Sequence, residues 1–514
     1  MTPSGGSRRA SGSSAAVFDD AGPDPAAPGL EPTVAETHLS VVMCIGDRAY
    51  KLKKALSFPF VDQSTREQRE RLCQQEVERN RRLAPDVYLG VADITGPDGV
   101  VCDHLVVMRR MPADRRLSTL VAAGDPTVIT GLQQLAGMVA AFHQSARRSS
   151  RIDAAASADA LIGLWHANAV QLRPFEGTVV PHGAVDDTIE LAERYVDHRR
   201  ALLEARVADG WIRDGHGDLL ASDIFLLDDG PRALDCLDFD ERLAYGDVAA
   251  DVAFLAMDLE RLGHPELAHL WLVSYEHSSG ATIPPSLLHL YIAYRAQVRA
   301  KVAALRSTQQ PSGPAAAETR QLLVLCVDHL RLAIPRLVIV GGAPGTGKTT
   351  VARAISSERG WCLLRSDVQR KATTPGQPAT AGAWEQGPYT PERTATNYRR
   401  LMAAARHDLT LGRSVVVDAT FSTEDERDAA RRLAADEGAE LLELRCTLDP
   451  RERDRRILAR RTEGSDASDA DESLAARMAA AAEPWPGAIQ VSTDGALEDL
   501  RDRVRQILDD WIAG

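Results

Sequence analysis

Lysine is scarce in this chain. Of the 60 basic residues among 514, only six are lysine, at positions 51, 53, 54, 301, 348 and 371. Arginine therefore supplies almost all of the ordinary surface charge. A lysine at one of these positions therefore suggests a specific role for its compact ammonium group, and phosphate binding is a common role.

Cysteine pairs and long apolar runs are also missing. The seven cysteines are odd in number, scattered and never in a C-x-x-C arrangement, so we expect neither a disulfide framework nor a zinc cage. No apolar run approaches the roughly 18 residues of a membrane span, and the N-terminal residues lack the apolar stretch of a secretory signal. We therefore expect a cytoplasmic protein without a membrane partner.

Positive charge is in deficit, because the formal net charge is −13. Binding to a nucleic-acid backbone rests on clustered Lys and Arg, so a nucleic-acid partner is disfavoured, although a basic cleft for a small phosphorylated ligand is compatible with this charge. The 44% hydrophobic and 26% charged residues are typical of a soluble protein, and the length indicates two or three domains. Nothing in the sequence indicates the oligomeric state.

Three segments follow from the sequence pattern. Residues 1–33 are rich in Gly, Ser, Ala and Pro and are predicted to form a disordered tail. Residues 34–333 begin with a predicted β-hairpin, a helix and two further strands and then become mostly helical, which indicates an α+β domain. Residues 334–514 alternate between strands and helices, which is typical of a parallel sheet in an α/β domain.

The clearest motif lies at residues 342–349, where GAPGTGKT follows a predicted strand and precedes a predicted helix. The pattern G-x-x-x-x-G-K-[ST] is a phosphate-binding loop, in which backbone N–H groups and the helix N-terminus surround a phosphate. The lysine reaches the β- and γ-phosphates, and the hydroxyl that follows it ligates Mg²⁺. The residues predicted to hold ATP here are Gly342, Gly345, Gly347, Lys348, Thr349 and Thr350, with Thr349 also on the metal.

Two acids end neighbouring predicted strands of the same domain. Asp418 follows three valines and is predicted to be the second Mg²⁺ ligand. Asp367 ends the strand after the glycine loop and is predicted to accept the proton of a substrate hydroxyl. Arg370 and Lys371, one helical turn later, are candidates for holding a substrate anion or the phosphoryl group in transfer.

These motifs, with Val-Asp-Ala-Thr-Phe at 417–421 and an arginine-rich helix at 451–461, resemble the P-loop small-molecule and polynucleotide kinases. The resemblance covers about residues 335–514. It implies that Asp367 is the base and that Arg460 is a catalytic lid residue. Arg456 and Arg461 stay open as alternatives for the lid arginine.

A second constellation lies in the first domain. His216-Gly217-Asp218 is followed by Asp223 five positions after Asp218, and later by Leu237-Asp238-Phe239. In phosphotransferases of the protein-kinase shape, one Asp positions the acceptor hydroxyl and two further polar residues hold Mg²⁺. These roles fall to Asp218 as the catalytic residue and to Asp223 and Asp238 as the metal ligands.

A kinase of this shape also needs a strand lysine and a helix glutamate. Lys51 and Lys53 lie on one face of a predicted strand, and Glu76 lies on the helix that follows. We favour Lys51 as the phosphate anchor, and Lys53 stays open. Met108 ends an apolar strand that would cover an adenine.

This set resembles the aminoglycoside phosphotransferase family over about residues 35–330. The order of the two resemblances is similar to that of bacterial bifunctional aminoglycoside phosphotransferase and ATP-binding fusion proteins. Two positions depart from the family pattern H-G-D-L-H-x-x-N, because Leu220 replaces the histidine and Asp223 replaces the amide. An Asp still ligates Mg²⁺ but adds negative charge beside ATP, which leaves altered activity or a pseudokinase open.

The sequence as a whole predicts a protein-kinase-like α+β domain followed by an α/β P-loop kinase domain. The predicted function is an ATP- and Mg²⁺-dependent phosphotransferase with two nucleotide sites and a small-molecule hydroxyl acceptor of unknown identity. One alternative is a nucleotide-sensing ATPase or regulator whose N-terminal half is a pseudokinase. Another alternative is a polynucleotide 5′-hydroxyl kinase.

Overall fold

The computed structural model describes residues 32–36, 39–58, 61–238, 240–308, 313–373, 390–463 and 472–513. The chain divides into two units. The first comprises Met1–Val196, Leu203–Ile283 and Leu287–Arg331, and the second comprises Asp197–Leu202, Pro284–Ser286 and Leu332–Gly514. The predicted tail, residues 1–33, lies outside the described residues except for its last two positions.

The first unit begins with an antiparallel sheet and one helix. Its first elements are β1 (Thr33–Glu36), β2 (Ser40–Ile45), β3 (Arg48–Lys53), β4 (Ser57–Phe58), β5 (Val61–Asp62), α1 (Arg66–Asn80), β6 (Tyr88–Thr95) and β7 (Val101–Arg109). Five strands form a sheet in the order β1-β2-β3-β7-β6, while β4 and β5 pair with each other. Helix α1 begins at a capping box made by Thr65 and Gln68.

Alternation along β3 explains how this sheet presents its lysines. Ala49, Lys51 and Lys53 are buried on one face, and the residues between them are half-buried on the other. Helix α1 covers the buried face, where its Cys73 shares a core with Ala49 and Met108. Lys51 and Lys53 are therefore directed towards the helix.

The rest of the first unit is mostly helical. Its helices are α2 (Leu117–Ala122), α3 (Thr127–Ser145), α4 (Ser150–Ala154), α5 (Ala158–Leu172), α6 (Ala184–His198), α7 (Arg200–Ala208), α8 (Val248–Arg261), α9 (Pro265–Ser279), α10 (Pro285–Ser307) and α11 (Pro314–Ala333). Short 3₁₀ turns lie at Ala113–Arg115, Arg173–Phe175 and Glu241–Ala244. Four short strands interrupt them: β8 (Ile212–Asp214), β9 (Ile224–Leu227), β10 (Gly230–Ala233) and β11 (Tyr245–Asp247). Strand β8 pairs with β11 and β9 with β10, both antiparallel.

The second unit is built around a parallel sheet. Its strands are β12 (Arg336–Gly341), β13 (Cys362–Arg365), β14 (Val415–Asp418), β15 (Glu440–Thr447) and β16 (Ile489–Ser492), in the order β13-β14-β12-β15-β16. Its helices are α12 (Lys348–Arg359), α13 (Ser366–Thr373), α14 (Pro391–Thr410), α15 (Glu424–Asp436), α16 (Pro450–Glu463), α17 (Glu472–Ala481) and α18 (Leu497–Ala513). Every residue of the central strand β12 is buried, as expected for a parallel strand with helices on both faces.

The antiparallel sheet with its helical partner and the parallel sheet confirm the predicted fold class. Strand register also places the carboxyl ends of three parallel strands side by side, because Asp418 pairs with Val340 on one side and with Arg365 on the other. Among the helices of the described segments, none combines the length and the apolar character that crossing a bilayer requires.

Candidate active sites

The glycine loop of the second unit depends on backbone conformations that favour glycine. Gly342, Gly345 and Gly347 have φ values of +134°, +84° and +85°. A Cβ atom on Gly342 would lie 2.6 Å from the carbonyl oxygen of Cys446, and one on Gly345 would lie 2.9 Å from Cγ of Arg453. Both conformation and space therefore require glycine, and the loop leads directly into the N-terminus of α12.

The polar side chains of this loop contact one another. Lys348 Nζ donates a hydrogen bond of 3.0 Å to the carbonyl oxygen of Ala343, which folds the lysine across the loop. Thr349 Oγ1 donates to Oδ2 of the buried Asp418 at 2.6 Å. Arg365 Nε donates to the same Oδ2 at 3.3 Å. Thr350 is exposed in the first turn of α12.

A hydroxyl beside a carboxylate is a donor set that fits Mg²⁺. The ion prefers hard oxygen ligands and usually takes only one or two from the protein, with water and phosphate completing its octahedron. Thr349 and Asp418 would hold it in this unit, because they already lie in hydrogen-bonding contact at the carboxyl ends of adjacent strands.

Asp367 lies in the first turn of α13 and is paired with Arg370. The guanidinium NH2 group of Arg370 lies 2.5 Å from Oδ1 of Asp367. The ion pair fixes the orientation of the carboxylate, and an acceptor hydroxyl would have to share it with Arg370. Arg370 therefore contacts the predicted base itself, whereas the sequence indicated contact with a substrate anion.

The arginines of α16 are described only in part. Arg456 donates to Glu452 Oε1 at 3.0 Å and to the carbonyl oxygen of Thr493 at 3.1 Å. Helix α16 includes positions 460 and 461, but the side chains of Arg460 and Arg461 lie outside the described part of the chain. The choice of lid arginine stays a prediction.

A cavity of about 200 Å³ lies beside the glycine loop. Gly342 and Ala343 form one wall, and Trp485, Arg445 and Arg453 contribute apolar and cationic surface to the others. Asp367 is not part of its lining. The cavity therefore places cationic and aromatic surface beside the phosphate-binding backbone, where an anionic group of a bound molecule would fit.

In the first unit, both strand lysines contact the helix glutamate. Lys51 Nζ lies 2.8 Å from Oε1 of Glu76, and Lys53 Nζ lies 2.7 Å from Oε2. Burial would raise the pKa of the Glu76 carboxyl, but the two ammonium groups lower it to about 2. Glu76 is therefore a fixed anion, and the choice between Lys51 and Lys53 becomes a question of their second partners.

The second partners differ. Lys51 Nζ donates to Oδ1 of Asp235 at 2.9 Å, whereas Lys53 Nζ donates to Oδ2 of Asp238 at 2.9 Å. Burial would lower the pKa of Lys51, but Asp235 and Glu76 raise it well above its ordinary value. Asp235 also has a left-handed φ of +60°, a strained conformation that is common at functional sites.

Three carboxylates share one electrostatic field in this unit. Burial raises the pKa of half-buried Asp218 to about 6, and the charge of Asp235 adds to the shift. Burial also raises the pKa of Asp223 well above its ordinary value, with Asp235 and Asp218 as the strongest charged contributors. A cation bound to these carboxylates would reduce their mutual repulsion and lower their pKa values.

The oxygen donors of Asp223 and Asp235 fit Mg²⁺, and these two residues would hold it. No group of three or more His, Cys, Asp and Glu side chains is gathered tightly enough to hold a metal alone in the described segments. Mg²⁺ does not need such a cage, because phosphate oxygens and water supply most of its ligands in kinase sites.

A buried scaffold holds the loop that carries Asp218. The carboxylate of Asp251 accepts from the backbone N–H of His216 at 2.6 Å and of Gly217 at 2.8 Å, and it contacts His143 Nε2 at 3.1 Å. Burial lowers the pKa of His216 to about 4, so the ring is neutral near pH 7. The loop conformation is thereby fixed independently of any ligand.

One comparison with known proteins matches part of the second unit, and another matches most of the chain. Residues 337–485 match the AAA domain family. Over 471 residues the chain is 40% identical to the uncharacterized protein Rv2004c of Mycobacterium tuberculosis, with 90% of this chain and 93% of that protein covered. The uncharacterized protein Mb2027c of Mycobacterium bovis matches with the same identity and coverage. The chain belongs to the family of these mycobacterial proteins.

Solved structures are similar to each part of this family member. A choline/ethanolamine kinase family protein from Mesorhizobium loti is 13% identical with a TM-score of 0.38, and the match covers 60% of this chain and 94% of that one. The APS kinase of Mycobacterium tuberculosis is 20% identical with a TM-score of 0.27, and that match covers 34% of this chain and 98% of the other.

Sequence reasoning passed over Asp235, which the structure places in contact with Lys51. Asp235 follows strand β10 with a single residue between them, whereas Asp238 lies three residues further on and pairs with Lys53. The charge of Asp235 acts on Asp218 and Asp223, and no local motif in the sequence indicates this relation between separate segments.

Met108 occupies a position in the core. It is 1% exposed on β7, opposite Ala49 of β3, and packs in the cluster that joins the sheet to α1. Contact with an adenine stays a prediction for this residue.

Proposed function

We propose that the chain is an ATP- and Mg²⁺-dependent phosphotransferase with two nucleotide sites, in which each site transfers a phosphoryl group to the hydroxyl of a small molecule. The observation that carries this proposal is the chain of contacts from Glu76 through Lys51 to Asp235, whose charge acts on Asp218 and Asp223. These interactions link a lysine suited to anchor phosphate, acids suited to bind Mg²⁺ and an acid suited to act as the base. A cytoplasmic location, where ATP is abundant, accords with this function.

In the first unit, Lys51 and Lys53 are placed to hold phosphate oxygens, and Asp223 and Asp235 to hold Mg²⁺. Bound Mg²⁺ would neutralise phosphate charge as it develops. Asp218 accepts the proton of the acceptor hydroxyl while that oxygen forms its bond to the γ-phosphorus. The bond between the γ-phosphorus and the bridging oxygen breaks, and ADP leaves.

In the second unit, the loop from Gly342 to Lys348 presents backbone N–H groups and an ammonium group to phosphate. Thr349 and Asp418 provide the metal ligands. Asp367 accepts the acceptor proton once Arg370 yields part of its contact, and an arginine of α16 stabilises the charge on the transferred group.

The test is transfer of ³²P from labelled ATP to a pool of metabolites by the full chain and by two variants. Asp218→Asn and Asp367→Asn should each abolish a different set of labelled products, with a loss of about 10²-fold or more in the affected set. ATP binding should persist in both variants. The proposal would be contradicted if the unaltered chain bound and hydrolysed ATP but produced no labelled metabolite.

A second candidate function is a nucleotide-sensing ATPase or regulator. The contact of 2.5 Å between Asp367 and Arg370 favours it for the second unit, because a base already paired with a guanidinium is less available to an acceptor. Hydrolysis of ATP that does not respond to any alcohol would support this candidate. Labelling of 5′-hydroxyl oligonucleotides would instead identify a polynucleotide kinase.

A further inference from the structure

Helix α10 carries two buried arginines, and the first of them, Arg295, contacts the loop that carries Asp218. Arg295 NH1 donates to the carbonyl oxygen of Gly217 at 3.3 Å, and its Nε donates to the carbonyl oxygen of Ala250 at 3.0 Å. Its guanidinium also stacks over the ring of Phe254, with 4.6 Å between Cζ and the ring centroid. Arg295 is therefore fully engaged in supporting the loop.

Arg299 lies one turn further along the same face of α10 and differs in its contacts. It is 8% exposed, yet it has no hydrogen-bond or ion-pair partner among the residues that the structure describes. Leaving a largely buried guanidinium without a protein partner costs part of its hydration. Its nitrogens keep some contact with solvent, since none of them is a fully buried, unbonded atom, and a ligand can therefore reach them. A largely buried Arg without a protein partner, one helical turn from an arginine that contacts the Asp218 loop, is the arrangement expected where a ligand anion completes the contacts.

The charge of Arg299 acts on two aspartates of the first site, Asp218 and Asp223. It is the strongest single charge acting on Asp218, ahead of Asp235 and Arg295, and it also acts on Asp223. The nucleotide side already has its own cations, since Lys51 and Lys53 lie between Glu76 and the aspartates of the metal loop. The positive charge of Arg299 is therefore available to the molecule whose hydroxyl faces Asp218.

We infer that the acceptor of the first unit is an anionic alcohol, a small hydroxylated molecule whose carboxylate or phosphate group binds Arg299. This inference rests on the proposed phosphotransfer at Asp218. It excludes polycationic acceptors such as aminoglycosides, which two buried arginines beside the base would repel. A guanidinium offers two parallel N–H donors to a carboxylate or phosphate, which also orients the acceptor.

The experiment uses the full chain with Lys348→Ala, so that transfer reports the first unit. Acceptors are offered in matched pairs: glycerate and glycerol 3-phosphate against glycerol, gluconate against glucose, and choline and kanamycin as cations. Binding of each is measured in parallel by calorimetry in the presence of Mg²⁺ and a non-hydrolysable ATP analogue. We expect the acidic acceptors to bind and react. The comparison of glycerate with glycerol 3-phosphate shows whether a carboxylate or a phosphate binds better.

Arg299→Met should raise the acceptor KM by about 10- to 100-fold, the loss of one charge-assisted contact, and leave the KM for ATP within about twofold. Arg299→Lys should recover part of the loss. The control is Lys301→Met, because Lys301 is a partly buried cation of the same helix that is bonded to Asn168 at 2.9 Å. It should leave the preference for acids unchanged.

Several results would overturn the inference. The inference is wrong if neutral or cationic acceptors bind as well as the acids they are matched with. It is also wrong if no acid binds or reacts at 10 mM, a concentration on the order of ten times a weak KM. A loss of stability in Arg299→Met with an unchanged preference for acids would make Arg299 a structural counter-charge. Failure of the Lys348→Ala chain to bind Mg²⁺ and the ATP analogue would instead contradict the proposed function.

Discussion

Lys51 and Lys348 are both placed to bind phosphate, but the two units hold them in different ways. Lys51 lies between the carboxylates of Glu76 and Asp235, which come from a helix and from a loop far along the chain. Lys348 donates to the backbone carbonyl of Ala343, five residues before it. The first site is assembled from distant side chains, and the second from a contiguous backbone.

The difference lies in where the free energy of each site comes from. Burying Lys51, Lys53 and Glu76 is costly unless every charge has a partner, so the first site holds its lysines in ion pairs before any ligand binds. The glycine loop buries little charge and offers dipoles, so the Lys348 ammonium is free to move from a neutral carbonyl to phosphate. Substitutions should therefore affect the two sites differently.

The largest expected effect is the loss of nucleotide binding at one of the two sites. Lys348→Ala should weaken binding of an ATP analogue to the second unit by about 100-fold, because a charge-assisted contact to the phosphates is lost. Calorimetry on the full chain should then detect one binding event in place of two. The control Lys54→Ala removes a lysine paired with Glu36 at 2.6 Å and should leave both events. Two unchanged events in Lys348→Ala would contradict the role of this lysine.

A second effect concerns pH. Asp218 acts as a base only when ionised, and burial raises its pKa to about 6. Its protonated fraction grows as the pH falls through that value, so kcat/KM for transfer by the first unit should fall about tenfold per pH unit below 6. The measurement is a profile between pH 5 and 8 in the Lys348→Ala chain. A flat profile would show that Asp218 is not the titrating base.

A smaller effect distinguishes the two candidate metal acids of the first unit. Asp235→Asn should raise the Mg²⁺ concentration needed for half-maximal transfer by about 10-fold or more, since a carboxylate ligand is lost. Asp238→Asn should change it far less, because Asp235 is among the main charges that act on Asp218 and Asp223, whereas Asp238 is not. The reverse order of effects in the Mg²⁺ titration would return the metal role to Asp238, as the sequence predicted.

The smallest effect concerns the packing of the glycine loop. Gly345→Ala should lower the free energy of unfolding of the second unit by about 1–2 kcal/mol, from its left-handed φ and the close approach to Arg453. Gly360→Ala is the matched control, because Gly360 has a φ of +67° but no atom within 4 Å of a built Cβ. Thermal unfolding should rank Gly345→Ala as the more destabilised variant. Equal losses would mean that packing contributes nothing.

The same contrast explains what could be predicted from the sequence. The glycine loop and the pairing of Thr349 with Asp418 follow from local motifs, because eight consecutive residues and one strand end determine them. The parallel sheet and the antiparallel sheet with its helix follow from hydrophobic periodicity. The first site depends on lysines and aspartates that lie 184 and 185 positions apart and meet only in the folded chain, and there Asp235 escaped notice.

Two other features also lay beyond the sequence. The contact between Arg370 and Asp367 depends on the exact path of α13, and an arginine one turn after an acid is common on any helix surface. Arg299 lies in a helix with several other arginines, and only its burial without a partner distinguishes it. Both features concern which contacts a side chain lacks or gains, and composition does not encode that.

Glu76 has one lysine ammonium beside each of its carboxylate oxygens, with Lys51 in an ion pair at Oε1 and Lys53 donating a hydrogen bond to Oε2. The arrangement is redundant, because loss of either ammonium group leaves the other to keep the carboxylate ionised and the helix in place. Loss of the Lys53 ammonium would still remove the partner of Asp238, and loss of the Lys51 ammonium would remove that of Asp235. The redundancy therefore protects the charge of Glu76, whereas each aspartate depends on a single lysine.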